Sequence, residues 1–169
     1  MIWTRHILNC AALASLIAPN AEVVDLGSGA GLPGLVLALA RPDLTVTLVE
    51  PMARRCVFLA EVAAELELAQ VRIERARAED LAGRLSVNVA VVRALASLDK
   101  LVPMAMPLLR APRELLALKG KGADQELSAA ARVLGKFDAH GDILAIATPG
   151  SPQPTTVVRV RASLPDPQH

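Results

Sequence analysis

The stretch Val23-Val24-Asp25-Leu26-Gly27-Ser28-Gly29-Ala30-Gly31-Leu32-Pro33-Gly34 constrains this chain more than any other. A short β-branched run that ends in glycines at alternate positions reads as a buried strand entering a tight turn. Residues without a Cβ let the backbone turn sharply and lie close to a ligand. Pro33, with its fixed φ and missing N–H, suits the first turn of the helix that follows. Arg41-Pro42-Asp43 ends that helix, because a proline disfavours helical geometry in the residue before it.

The same alternation runs on through the chain. Thr45 to Glu50 is a second strand, and Pro51 opens a helix with Val57, Phe58, Val62 and Leu66 at helical spacing. Val71 to Glu74 and Val87 to Arg93 are a third and a fourth strand. Ser97 to Leu109 reads as a helix kinked at Pro103 and Pro107. Leu115 to Lys119 is a fifth strand, followed by a helix from about Ala123 to Leu134. Strands alternating with helices predict an α/β fold with a parallel sheet covered on both faces. Asp142 to Thr148 and Thr155 to Arg161 break the pattern, with only the turn-rich Pro149-Gly150-Ser151-Pro152 between them. They predict an antiparallel hairpin at the sheet edge. Residues 1–162 read as a single domain and 163–169 as a frayed tail.

Composition excludes several functions. The chain has 169 residues, 53% apolar and 21% charged, which fits one globular domain with a buried core. Eighteen Lys and Arg against 17 Asp and Glu leave a net charge of +1, so no strong basic excess marks a nucleic-acid module. Only Trp3, Phe58 and Phe137 are aromatic, too few for a base-stacking platform. Cys10 and Cys56 make neither a disulfide framework nor a metal cluster, and they suit a reducing cytosol. No metal site is expected. The apolar run Ile7 to Ala18, ahead of Pro19-Asn20-Ala21, has some look of a secretory leader. Cleavage there would strip the chain back to its first strand, so an amphipathic helix is the better reading. No stretch is apolar for long enough to span a bilayer.

Gly27, Gly29, Gly31 and Gly34 satisfy both the alternate-glycine spacing and the G-x-G-x-x-G spacing of a dinucleotide turn, so the glycines alone leave the ligand open. Asp25 is more informative. A carboxylate just before the turn opposes a pyrophosphate and suits a ligand that carries a sulfonium and an ammonium. Glu50, at the end of the second strand, is placed to accept from both hydroxyls of a ribose. Glu79, in Arg77-Ala78-Glu79-Asp80, is either a contact to adenine or one of an acid pair at a helix N-terminus.

Several stretches together resemble one family. They are Trp3-Thr4-Arg5-His6-Ile7-Leu8, the glycine turn with its Gly31-Leu32-Pro33-Gly34, Val49-Glu50-Pro51 with Arg54-Arg55 and Phe58-Leu59, Arg93-Ala94-Leu95-Ala96-Ser97-Leu98, and Ala117-Leu118-Lys119-Gly120. In this order they resemble the small-subunit ribosomal RNA methyltransferase G family, also called glucose-inhibited division protein B. The resemblance implies a Rossmann-like class I methyltransferase. It further implies methyl transfer from S-adenosylmethionine to N7 of a guanine in 16S rRNA, with the rRNA or the small ribosomal subunit as partner. Gly27, Leu32, Ala78, Glu79 and Arg93 match the family's cofactor-contacting positions, beside Asp25, Gly29, Gly31 and Glu50. Arg5, His6 and Lys119 match positions that face the substrate. A cytoplasmic monomer is expected. Family members begin with a further helical segment upstream of Trp3, so the chain is expected to lack it. Pro112-Arg113 stands where the family has Gly-Gly. A methyltransferase for a small metabolite, a cofactor-binding domain without turnover and a nicotinamide-dependent oxidoreductase are the competing expectations. Asp25 and the terminal hairpin weigh against the last.

Overall fold

The structure, a computed structural model, describes residues 3–163, with the side chains from residue 6 onward. The Arg5 side chain and the tail from residue 164 lie outside the described residues. A seven-stranded sheet organises the chain. Its centre is β1 (Glu22–Leu26), parallel to β2 (Thr45–Val49) on one side and to β4 (Val87–Arg93) on the other. Beyond β2 lies β3 (Val71–Glu74), and beyond β4 lies β5 (Leu109–Leu118), both also parallel. The edge is finished by β7 (Thr155–Ala162), antiparallel to β5, and β6 (Ala139–Ile146), antiparallel to β7. The order is β3-β2-β1-β4-β5-β7-β6. Because the chain moves outward from β1 in opposite directions, a crevice opens above the carboxyl ends of β1 and β4. The expected parallel sheet with a terminal antiparallel pair is present.

Both faces of the central strands are buried, which is why they read as unbroken apolar runs. Val23, Val46, Leu48, Val89, Val91 and Leu116 point to one face. There they meet Cys10 and Leu13 of the N-terminal helical segment, Leu35 and Leu37 of α2 (Gly34–Ala40), and Leu59 of α3 (Ala53–Glu65). Val24, Leu26, Ala90, Val92, Leu115 and Ala117 point to the other. They pack on Leu98, Leu101 and Val102 of α4 (Leu98–Ala105) and Leu134 of α6 (Ala131–Lys136). The helical segment that precedes β1 changes pitch along its length. A π-turn, Trp3–Leu8, leads into one α-helical turn, α1 (Asn9–Ala11), and then a 3-10 turn, Ala12–Leu16. The Arg41 guanidinium closes its end, donating to the carbonyls of Ala14 at 2.8 Å and Ile17 at 3.1 Å. Those carbonyls have no partner within the helix.

Several boundaries depart from the sequence reading. In α3 the buried positions are Leu59 and Ala63, while Val57, Phe58 and Leu66 are exposed and Val62 is half-buried. This helix lies at the β2–β3 side of the sheet and buries only a narrow stripe. The expected helix from Ala123 divides at Ala130 into α5 (Ala123–Ala129) and α6. Strand β5 starts at Leu109, not Leu115. Leu109 already pairs with Val87, and the register then jumps to Val89 opposite Glu114. The intervening Arg110 to Arg113, with Arg113 at φ 57, bulges out of the ladder. Strand β6 begins at Ala139, three residues before the expected Asp142.

Leu116 is fully buried between β4 and β7. Truncation by Leu116→Ala is expected to lower unfolding free energy by about 2–5 kcal/mol, read from urea denaturation.

Candidate cofactor and substrate site

Two buried carboxylates hold the glycine turn at the carboxyl end of β1. Asp25 Oδ2 accepts from the Gly34 N–H at 2.9 Å and so caps the start of α2. Glu50 Oε2 accepts from the Gly29 N–H at 3.0 Å, and its Oε1 from the Met52 N–H at 2.9 Å. The N–H groups of Gly27 and Ser28 both donate to the Val49 carbonyl at 3.0 Å. The turn is thereby stitched to the end of β2 by backbone and side chain together. Gly27 and Gly31 stand at φ 70 and 89, in the left-handed region that glycine alone enters freely. A Cβ at Gly31 would collide with the Leu35 side chain, and one at Gly34 would lie 2.7 Å from Asp25 Oδ2.

Asp25 does not face the crevice as its position in the sequence suggested. It is 1% exposed, and its Oδ1 is buried with no hydrogen-bond partner. Burial pushes the carboxyl up to about 7, against the pull of the Gly34 hydrogen bond and of the Arg93 charge. Asp25 therefore acts on the turn from beneath, fixing its shape. Glu50 is also buried, and both its oxygens already serve the loop. Each carboxylate oxygen has a second lone pair, so the group retains acceptor capacity towards a ligand at the loop surface.

Two cavities lie on either side of the Arg93-Ala94-Leu95 turn. The first, about 310 Å³, is walled by Gly27, Pro51, Ala78, Leu95 and Met104, with Glu79 exposed at its lining. Largely apolar walls, with Arg77 and Glu79 as the charged groups of the lining, fit a flat heterocycle that carries polar edge groups. Pro51, Leu95 and Met104 were not among the expected site residues. Leu95 belongs to the Arg93-to-Leu98 stretch and, at 42% exposure, was available as a signal. Leu32 is placed elsewhere: it is half-buried and packs into the core under α2. The second cavity, about 600 Å³, is lined by His6, Asn9, Arg93, Lys119, Lys121 and Thr155, among others. The geometry brings His6, Arg93 and Lys119 to this one place from three separate elements.

Their contacts differ from simple phosphate binding. Arg93 donates to His6 Nδ1 at 2.6 Å, and forms no ion pair with Asp25 or Glu79. The Lys119 ammonium donates to the Ala96 carbonyl at 2.8 Å and pairs with Glu126 at 2.7 Å. Glu126 also accepts from the Leu98 N–H at 3.3 Å. Lys119 thus ties the end of β5 to the turn before α4 while still lining the second cavity, on the side where the resemblance puts the substrate. Glu126 could not be read from the sequence, because its partners lie on a turn 28 residues away and a strand end.

Comparison with known proteins assigns the chain to a family. The family model for rRNA small subunit methyltransferase G matches residues 1–140. The chain belongs to this family. It is 46% identical over 161 residues to the ribosomal RNA small subunit methyltransferase G of Renibacterium salmoninarum, covering 94% of this chain and 75% of that protein. The same-named protein of Thermobifida fusca is 48% identical over 160 residues, covering 94% of this chain and 68% of the relative. Among solved structures, a SAM-dependent O-methyltransferase of Thermotoga maritima superposes with a TM-score of 0.69 at 10% identity. That match covers 94% of this chain and 66% of the other, and it shows the fold alone. The fold is the Rossmann-like methyltransferase fold that the resemblance implied.

Asp25 binds a proton in the folded protein at a higher pH than in the unfolded chain. The contribution of Asp25 to stability therefore declines as pH rises from about 4 to about 7 and levels off above. Asp25→Asn keeps an acceptor for Gly34 and removes the charge. The stability of this variant relative to wild type is expected to be greater at pH 8 than at pH 5, by urea denaturation at the two values. An identical difference at both would contradict a buried, reluctant carboxylate.

Proposed function

We propose that this chain transfers a methyl group from S-adenosylmethionine to N7 of a guanine in 16S rRNA, acting as a single catalytic domain and a monomer in the cytoplasm. The observation that carries the reading is the glycine turn clamped by Asp25 and Glu50 beside an apolar cavity, in a member of this family. No helix among the described residues is long and apolar enough to cross a membrane.

The residues present fit S-adenosylmethionine. Ala78, Pro51 and Leu95 would enclose the adenine, Glu79 would accept from its amino group, and Glu50 with the Gly29 backbone would hold the ribose. Gly27 and Gly31 would let the chain approach the amino-acid end, with the buried Asp25 beneath it. When bound, the cofactor supplies an electrophilic methyl: the N7–carbon bond forms as the sulfur–carbon bond breaks, and the positive charge passes to the guanine ring. No proton leaves, because guanine N7 has a free lone pair at neutral pH. The protein needs no general base and contributes orientation, with reacting atoms about 3 Å apart. Arg93 and Lys119 are held by His6 and Glu126, so neither is a loose cation beside the ring that becomes charged.

The test is transfer of labelled methyl from S-adenosylmethionine to small ribosomal subunits that lack the modification, with N7-specific cleavage to map the product. Label at one guanine is expected, whereas label on small metabolites and none on subunits would overturn the substrate assignment. Glu79 is exposed, so Glu79→Ala is expected to leave stability unchanged. It should weaken cofactor binding about tenfold by calorimetry, the size of a hydrogen bond to a charged group.

A further inference from the structure

The contact between His6 and Arg93 determines which imidazole nitrogen carries the proton. A guanidinium has donors and no acceptor. Arg93 Nη1 lies 2.6 Å from His6 Nδ1, so Nδ1 must accept and the neutral ring carries its proton on Nε2. His6 lines the cavity beyond the Arg93-Ala94 turn, on the side opposite the apolar pocket. With Nδ1 occupied, the group it has left to offer there is the Nε2–H donor. That donor shares the cavity with Arg93, whose guanidinium is held against His6 Nδ1.

The major-groove edge of a purine presents two groups side by side. Guanine has N7 and O6, both acceptors, whereas adenine has the N7 acceptor beside an amino donor. A fixed N–H donor favours the first pattern and meets a second donor in the other. We propose that His6 determines base choice: its Nε2–H donates to guanine O6, with Arg93 locking the tautomer that makes this possible. The proposal rests on the reading of the substrate as guanine N7. His6 acts as a reader of the base and takes no proton in the reaction. Arg93 acts through it as a positioning residue.

Two measurements test this. Nitrogen NMR of the imidazole in the full chain at pH 8 should report His6 Nε2 protonated and Nδ1 bare; the opposite tautomer overturns the proposal without reference to activity. Methyl transfer is then compared on subunits reconstituted with guanine or with 2-aminopurine, which keeps N7 and lacks O6, at the mapped position. Wild-type protein should lose about 10- to 100-fold in kcat/KM on 2-aminopurine, the span of one good base contact. His6→Leu should be slowed to a similar extent on guanine and should treat the two bases alike, with cofactor affinity unchanged. His6→Gln, which restores an N–H donor, should recover part of the preference. A His6→Leu protein that keeps the full preference for guanine would overturn the proposal. Wild-type protein that binds cofactor yet labels no guanine subunit would overturn the substrate reading itself, and the proposal with it.

Discussion

Two carboxylates removed from water organise this molecule. Asp25 and Glu50 stand at the ends of adjacent parallel strands and each accepts from a backbone N–H at the turn between β1 and α2, Glu50 accepting also from Met52. Burying a charge without partners is costly, and here the partners are the loop itself. The turn is therefore held open, in a conformation that its glycines permit and that nothing else in the sequence would favour. Asp25 still bears part of the cost, visible in its raised pKa and its unpartnered Oδ1. Strain of this kind is retained where a ligand returns the favour, and a cationic ligand over the turn would do so.

Everything around the turn follows from its place in the sheet. The strand order reverses at β1, so the turns after β1, β2, β4 and β5 gather above one edge. The Arg93-to-Ser97 turn divides the space. On one side lies a largely apolar pocket, and on the other a polar cavity bordered by the N-terminal helical segment. Ala94, a non-glycine residue at φ 52, allows the chain to cross between them. Lys119 and Glu126 anchor the far end of that turn, and His6 meets Arg93 at its near end. The two cavities are thus separated by one short stretch that is tied down at both ends.

The glycine turn, the five parallel strands and the closing hairpin were legible in the sequence. Each rests on a local signal: β-branched runs, glycine spacing, or a turn too short to hold a helix. Glu50 and Glu79 were legible as strand-end and turn acids. The apolar face of α3 was not, because Val57, Phe58 and Leu66 keep helical spacing whether or not a sheet lies beneath them, and only the edge position of α3 leaves them exposed. Asp25 was identified as important for the wrong geometric reason. Its proximity to the turn was visible, but the inward rotamer that delivers Oδ2 to Gly34 depends on how α2 docks. The bond of Lys119 with Ala96 spans 23 residues, and its pairing with Glu126 depends on how α5 docks, so neither left a local trace.

The most direct test of the account is an amide NMR titration of the full chain with S-adenosylmethionine. The largest shifts are predicted at Gly27, Gly29, Gly31, Met52, Ala78 and Glu79, the positions that border the clamped turn and its apolar pocket. Saturable shifts centred elsewhere, for instance at the hollow between α3 and β3 lined by Ala60, Leu68 and Ile73, with the glycine amides unmoved, would contradict it.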